Sequence, residues 1–162
     1  MRNVNVSGSS RQARGFTLIE LVVAIVVVGV LVSVALPVFF DSIRKGRRSE
    51  GFAALSALQQ AQERWRANNS QYTTNLTGLP SDTPPGLGLS SSTPSGYYTI
   101  SIVSADASNY EATAVAVDGT SQAKDSTCAK LGVKMAGGNI TYAGSGASGS
   151  LSYAPTSSCW SR

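Results

Sequence analysis

The sequence predicts an α+β chain, a long kinked amino-terminal helix packed on a small antiparallel β-sheet, and three observations carry that expectation. Between Glu20 and Asp41 the chain holds no charge, a run of about the ~20 residues that an α-helix needs to cross a bilayer. Apolar residues then recur at spacings of three and four as far as Trp65, the period of an amphipathic helix. After residue 96 the pattern changes to alternation of β-branched and aromatic residues, the period of strands.

The apolar run does not read as a secretory signal peptide. No small-x-small cleavage pattern follows it, and the chain continues through Pro37 into a polar helical pattern. Glu20 stands near its amino end, and a carboxylate inside a membrane helix costs roughly 2.5 kcal/mol or more, so the residue is a functional candidate. The plainer alternative is a carboxylate solvated at the interface. Pro37 donates no backbone hydrogen bond and crowds the preceding turn, which predicts a kink there rather than an end.

These residues resemble the type IV pilin family. Arg11, Arg14 and Gly15 close a short basic leader, Phe16-Thr17-Leu18-Ile19-Glu20 opens an apolar helix, and Gly29 and Pro37 stand where pilins usually carry them. The resemblance covers the first quarter of the chain and implies the class III prepilin pathway. Residues 1–15 would be the leader, 16–40 the transmembrane and filament-core helix, and 41–162 the globular head. A prepilin peptidase/N-methyltransferase would cut between Gly15 and Phe16 and methylate Phe16. The amine of Phe16 would then neutralise the carboxylate of Glu20 on a neighbouring subunit. Other partners implied are further pilin subunits, the inner-membrane pilus assembly machinery, and membrane lipid before assembly. The location implied is the bacterial inner membrane, single-pass with the head in the periplasm, then an extracellular pilus.

Composition narrows the chemistry. The 162 residues contain two cysteines and no histidine, which excludes a histidine-based triad, a histidine-ligated zinc site and a four-cysteine zinc cage. The net charge of +4 is largely a leader property, because without Arg2, Arg11 and Arg14 ten Lys or Arg face nine Asp or Glu. Topology from charge is contested: the leader arginines favour a cytoplasmic amino end, whereas Arg44, Lys45, Arg47 and Arg48 pull the other way. Cys128 and Cys159, which would form a durable bridge only in an oxidising compartment, favour an external head, as does the resemblance.

The amphipathic helix is expected over residues 41–68, with Phe52, Leu55, Leu58, Ala61 and Trp65 on its apolar stripe. Gln59, Gln62, Glu63, Arg64 and Arg66 lie off that stripe and read as a solvated face. The basic run Arg44-Lys45-Gly46-Arg47-Arg48 suits either anionic lipid or carboxylates of neighbouring subunits. Asn68-Asn69-Ser70 stops the helix, and residues 70–96 form a loop rich in Ser, Thr, Pro and Gly. Tyr72 and the 76–79 segment, through Leu76 and Leu79, are expected to dock on the helix, with the rest exposed.

Strands are expected at 97–104, 110–117, 127–135 and, briefly, 140–142, the first two as an antiparallel hairpin. The sheet must bury its apolar face, and the helix is the one amphipathic partner in the sequence. Pairing of Cys128 with Cys159 would close a loop of about thirty residues, worth roughly 3 to 4 kcal/mol; pilins commonly pin their carboxyl region this way. Two unpaired buried thiols are the alternative.

Several further signals carry no chemistry in their context. Gly144-Ser145-Gly146-Ala147-Ser148-Gly149 matches a dinucleotide fingerprint in letters, but no βαβ unit surrounds it. The triplets at Asn68, Asn75 and Asn139 match a glycosylation pattern short enough to occur by chance. Asp82, Asp106, Glu111, Asp118 and Asp125 have no calcium-loop spacing, and no nucleophile–base arrangement is visible. No metal, cofactor or enzymatic activity is therefore expected. The expected function is structural: a type IV pilus subunit serving assembly, twitching motility and adhesion. Gln60 to Trp65, Asn68-Asn69, Tyr72 and Cys159-Trp160 resemble minor pilins in particular. A type II secretion pseudopilin is one alternative, less favoured because of the distal cysteines. A DNA-uptake pilin is the other, though Lys124, Lys130, Lys134 and Arg162 alone remain for a basic stripe, so nucleic acid is not expected as a partner.

Overall fold

The computed structural model describes residues 15–160. The leader arginines Arg2, Arg11 and Arg14, with Arg162, lie outside the described residues. One helix, α1, runs from Leu18 to Arg66 without a break at Pro37. Because Pro37 has no N–H, the carbonyl of Ser33 lacks the bond that residue i+4 would supply. The chain divides into two compact units, one up to Phe39 and the other from Phe40 onward.

In the first unit every described residue is exposed, including Val22, Val26, Val30 and Val34 on successive turns. In the second, strands β1 (Tyr98–Ala105), β2 (Asn109–Ala116), β3 (Lys130–Ala136) and β4 (Asn139–Ser145) form a single antiparallel sheet in sequence order. Its inner face carries Tyr98, Ile100, Ala112, Ala114, Leu131 and Val133, which pack with the α1 residues Leu55 and Leu58. Helix on sheet is thus the observed α+β architecture. Ala112 and Ala114 on β2 let the helix approach, and on the helix side Gly51 does the same: a Cβ there would crowd the side chain of Leu131.

Several boundaries differ from the sequence expectation, each for a tertiary reason. Strand β3 starts at Lys130 rather than 127, because the N–H groups of Thr127 and Cys128 turn inward to donate to Asp125 Oδ1, at 3.1 and 3.0 Å. Strand β4 extends to Ser145, so Gly144 and Ser145 are strand rather than loop. Its outer edge pairs with the tail, Tyr142 and Ala154 exchanging backbone hydrogen bonds of 2.8 and 3.0 Å. Strand β1 carries a bulge between Ile102 and Ser104 that leaves Val103 exposed.

In the loop of residues 70–96, Tyr72 and Leu76 dock on the core as expected, but Leu79 is 55% exposed. Leu87 and Leu89 pack there instead. Asn75 causes the exchange. Its side-chain amide donates to the carbonyls of Pro84 and Pro85 while its oxygen accepts from Gly78, folding 76–89 back on itself. Gln62 is a second correction: assigned to the solvated face, it is fully buried. Both ends of its amide bond the backbone of Thr73, Nε2 donating to the carbonyl at 2.7 Å and Oε1 accepting from the N–H at 3.2 Å. The side chain thereby satisfies loop backbone that packing against α1 removes from water.

Cys128 and Cys159 are bonded, with Cα atoms 5.8 Å apart. The fingerprint-like glycines are explained by the same region. A Cβ on Gly144 would collide with Cys159, and one on Gly146 with the Ser126 carbonyl, so these positions are glycine for close approach. Trp160, next to the bridge, packs against Phe52 of α1 and Tyr142 of β4, and its indole N–H donates to the Ala143 carbonyl at 2.9 Å. Replacing both cysteines by serine should lower the stability of the chain in detergent by roughly 3 to 4 kcal/mol. Denaturant unfolding checks this, and a loss below about 1 kcal/mol would show that Trp160 and the β4–tail pairing hold the tail unaided.

Candidate functional site

The sequence places the candidate site in the segment Gly15 to Glu20 and the apolar helix that follows. Residues 15–17 precede the helix, and Thr17 occupies its N-cap position, its hydroxyl accepting the Glu20 N–H at 3.3 Å. The backbone of Leu21 donates to the Thr17 carbonyl at 3.2 Å. Thr-x-x-Glu at a helix start is the capping-box arrangement, and an acidic side chain in the first turn also suits the positive end of the helix dipole. The motif was thus readable as a helix start as well as a processing signal.

Phe16, 84% exposed, and Glu20 both lie open on this unit. From Gly15 to Ser42 no described residue is covered. An apolar surface of this extent marks a membrane or protein interface, and Leu18–Arg66 contains a stretch long and apolar enough to cross a membrane. The chemistry available is therefore burial, with Glu20 the one charged group between Phe16 and Phe40.

In the second unit three arginines of the basic run are engaged within their own chain, and Lys45 is left exposed. Arg48 lays its Nε and Nη2 on the two oxygens of Asp125 at 2.7 and 2.8 Å, with Asp125 only 3% exposed. Arg44 donates to the Ser121 carbonyl at 3.1 Å and to Asp41. Arg47 reaches the Ser121 hydroxyl and stacks 3.9 Å from the centre of the Tyr97 ring. Three arginines therefore bind their own chain at residues 121–125. Burial alone would raise the Asp125 carboxyl; the Arg48 guanidinium and the Cys128 and Thr127 N–H groups outweigh it and hold it below the usual carboxylate range. Gln122 completes the network, its Nε2 donating to Tyr98 Oη at 2.8 Å and to Asp125 at 3.2 Å. Burial pushes the Tyr98 hydroxyl up to about 12.

Sequence reasoning missed this constellation because its halves lie 77 residues apart. One signal was available: Asp125-Ser126-Thr127-Cys128 has the form of a turn in which an aspartate accepts from backbone two and three residues on.

The cations considered for a basic stripe are partly occupied. Lys134 stands 3.6 Å from Glu111, Lys130 donates to the Gly149 carbonyl at 3.3 Å, and Lys124 is exposed. No cluster of His, Cys, Asp and Glu suited to a metal ion occurs among the described residues.

Comparison with known proteins covers both units. Residues 10–36 match the prokaryotic N-terminal methylation motif, and residues 37–132 match the family described as type IV minor pilin ComP, DNA uptake sequence receptor. The chain is similar to the type IV wide pilus major component PilA4 of Thermus thermophilus, 37% identical over 100 residues that cover 62% of this chain and 71% of that one. It is also similar to type II secretion system core protein G of Klebsiella pneumoniae, 38% identical over 69 residues, 43% of this chain and 49% of that one. The type IV major pilin PilA of Myxococcus xanthus is 33% identical over 69 residues, 43% of this chain and 31% of that one. The chain thus spans half or less of the latter two relatives.

Proposed function

The chain belongs to the type IV pilin family, and from that premise we propose that it is a minor pilin, processed at Gly15–Phe16 and built into an extracellular filament. In this reading the apolar helix of residues 16–40 first anchors the chain in the inner membrane, with the head of residues 41–162 in the periplasm. The prepilin peptidase removes the leader and methylates Phe16. The assembly machinery then moves the helix from lipid into a core of like helices, and Pro37 lets it bend there. Glu20 acts as the register check. Its carboxylate must leave water on assembly, and the Phe16 amine of a neighbouring subunit is the group that would neutralise it. A paired buried charge is tolerated where an unpaired one is not.

The observation that carries this reading is the exposed apolar surface from Phe16 to Leu36, within the residues that match the methylation motif. Its test is the amino terminus of the chain recovered from sheared surface filaments. The expected result is a chain beginning at a methylated Phe16, with the unprocessed form confined to membranes. A chain retaining its leader in every fraction would overturn processing and leave the apolar run as an ordinary anchor.

A second reading has its own support. The matched family is described by its DNA uptake receptor, which raises nucleic acid from an unexpected partner to the leading alternative. Against it stand the internal engagements of Lys130 and Lys134. A salt-dependent shift of duplex DNA by the full chain would favour it, since phosphate contacts release counterions. The pseudopilin reading rests on the similarity to protein G; secretion failure without loss of pili on deletion would favour it.

A further inference from the structure

Arg44 and Arg48 are held on their own chain, and what they leave over forms a small cleft. It has a volume of about 190 Å³ and opens between the α1 residues 41–48 and the segment 125–127. Lys45 lines it, exposed and without a hydrogen bond or ion pair among the described residues. Among the described residues Arg48 Nη1 and Arg44 Nη2 donate to nothing, because the bonds to Asp125, Asp41 and Ser121 use the other guanidinium nitrogens. The hydroxyls of Ser126 and Thr127, on the opposite wall, likewise make no hydrogen bond among the described residues. Asp41 and Asp125 also border the cleft, but each is already matched by an arginine, so Lys45 is its surplus charge.

We propose that this cleft holds the phosphate of an anionic phospholipid headgroup while the chain is in the membrane. The donor set suits a phosphate: one ammonium, two guanidinium N–H edges and two hydroxyls, with no unmatched carboxylate. Position selects lipid over other phosphates. Lys45 follows Phe40, where the apolar run ends, by five helical residues, a rise of about 7.5 Å. The polar layer on each side of the hydrocarbon is about 5 to 8 Å deep. A basic group there meets the headgroups directly, and the Arg48–Asp125 pair holds one guanidinium edge in place beside it. The proposal rests on the membrane-anchored reading above and adds to it a headgroup-binding site on the head unit.

The test uses the full chain in a neutral detergent, titrated with a water-soluble short-chain phosphatidylglycerol and, separately, with the phosphatidylcholine analogue, inorganic phosphate and duplex DNA. Saturable binding of one phosphatidylglycerol is expected, tighter than the choline lipid or inorganic phosphate. It should weaken roughly fivefold in Lys45→Gln, the factor one basic group contributes near an anionic headgroup. Arg64→Gln, roughly 28 Å further along the helix, should bind as the parent does. Equal affinity for the two lipids, binding unchanged in Lys45→Gln, inorganic phosphate as good as the lipid, or DNA bound through Lys45 would each overturn the proposal. Because detergent replaces the bilayer, failure here leaves the anchor reading intact, and that reading fails separately if the chain does not fractionate with membranes.

Discussion

Replacing Glu20 by alanine is expected to leave leader cleavage and membrane insertion intact while reducing the chain's incorporation into filaments by more than roughly tenfold, the scale of leaving one partner of a buried charge pair alone. The same carboxylate has two roles open to it. As a first-turn acid beside the Thr17 cap, Glu20 would contribute about 0.3 to 1 kcal/mol to the helix. That is too little to decide whether a subunit assembles. As the counter-ion of a neighbour's amine in an apolar core, its loss would strand that amine at a cost of about 3 to 5 kcal/mol. Glu20→Gln separates the roles further, since it keeps the side chain's shape and hydrogen-bonding capacity and removes only the charge. Blots of sheared filaments against membranes would read both variants. Assembly of Glu20→Gln at the parental level would remove charge pairing from the mechanism, and poor cleavage of either variant would move Glu20 into the peptidase's recognition of the leader junction.

What was legible beforehand follows from the range of each interaction. The stripe of Leu55, Leu58 and Ala61 and the alternation of Tyr98 and Ile100 are local periods, and the folded chain buries all five. The processing motif is contiguous and equally plain. Gln62 reads as solvated, and the internal partner of Arg48 is invisible in the sequence, because Thr73 and Asp125 lie in segments whose approach no local pattern encodes. Leu79 shows the converse. It was assigned to the core by hydrophobicity, yet a turn organised by Asn75 hands that place to Leu87 and Leu89. Within 144–149, the glycines looked like a phosphate loop because close packing against Cys159 and Ser126 asks for the same residue type.

The Arg48–Asp125 pair should be the most sensitive polar contact in the head. Asp125 receives two guanidinium bonds, two backbone N–H groups and the Gln122 amide. It thereby ties the start of the disulfide loop to the helix. Removing Arg48 alone, as Arg48→Met, would leave a carboxylate that is 3% exposed without its cation, a loss of about 3 to 5 kcal/mol. The double variant Arg48→Met with Asp125→Asn should recover much of it, because a neutral amide can still accept from Thr127 and Cys128. Acidity should mimic the single variant. The folded carboxyl sits below its ordinary value, so the contribution is present above the unfolded pKa of about 3.9 and is lost as pH falls through the depressed folded value. Denaturant unfolding at neutral pH and in that acid window, run on parent and double variant together, reads the effect. The parent should lose stability on acidification by more than the double variant does. Parallel losses would show that the network's hydrogen bonds, and not its charge, hold the loop to α1.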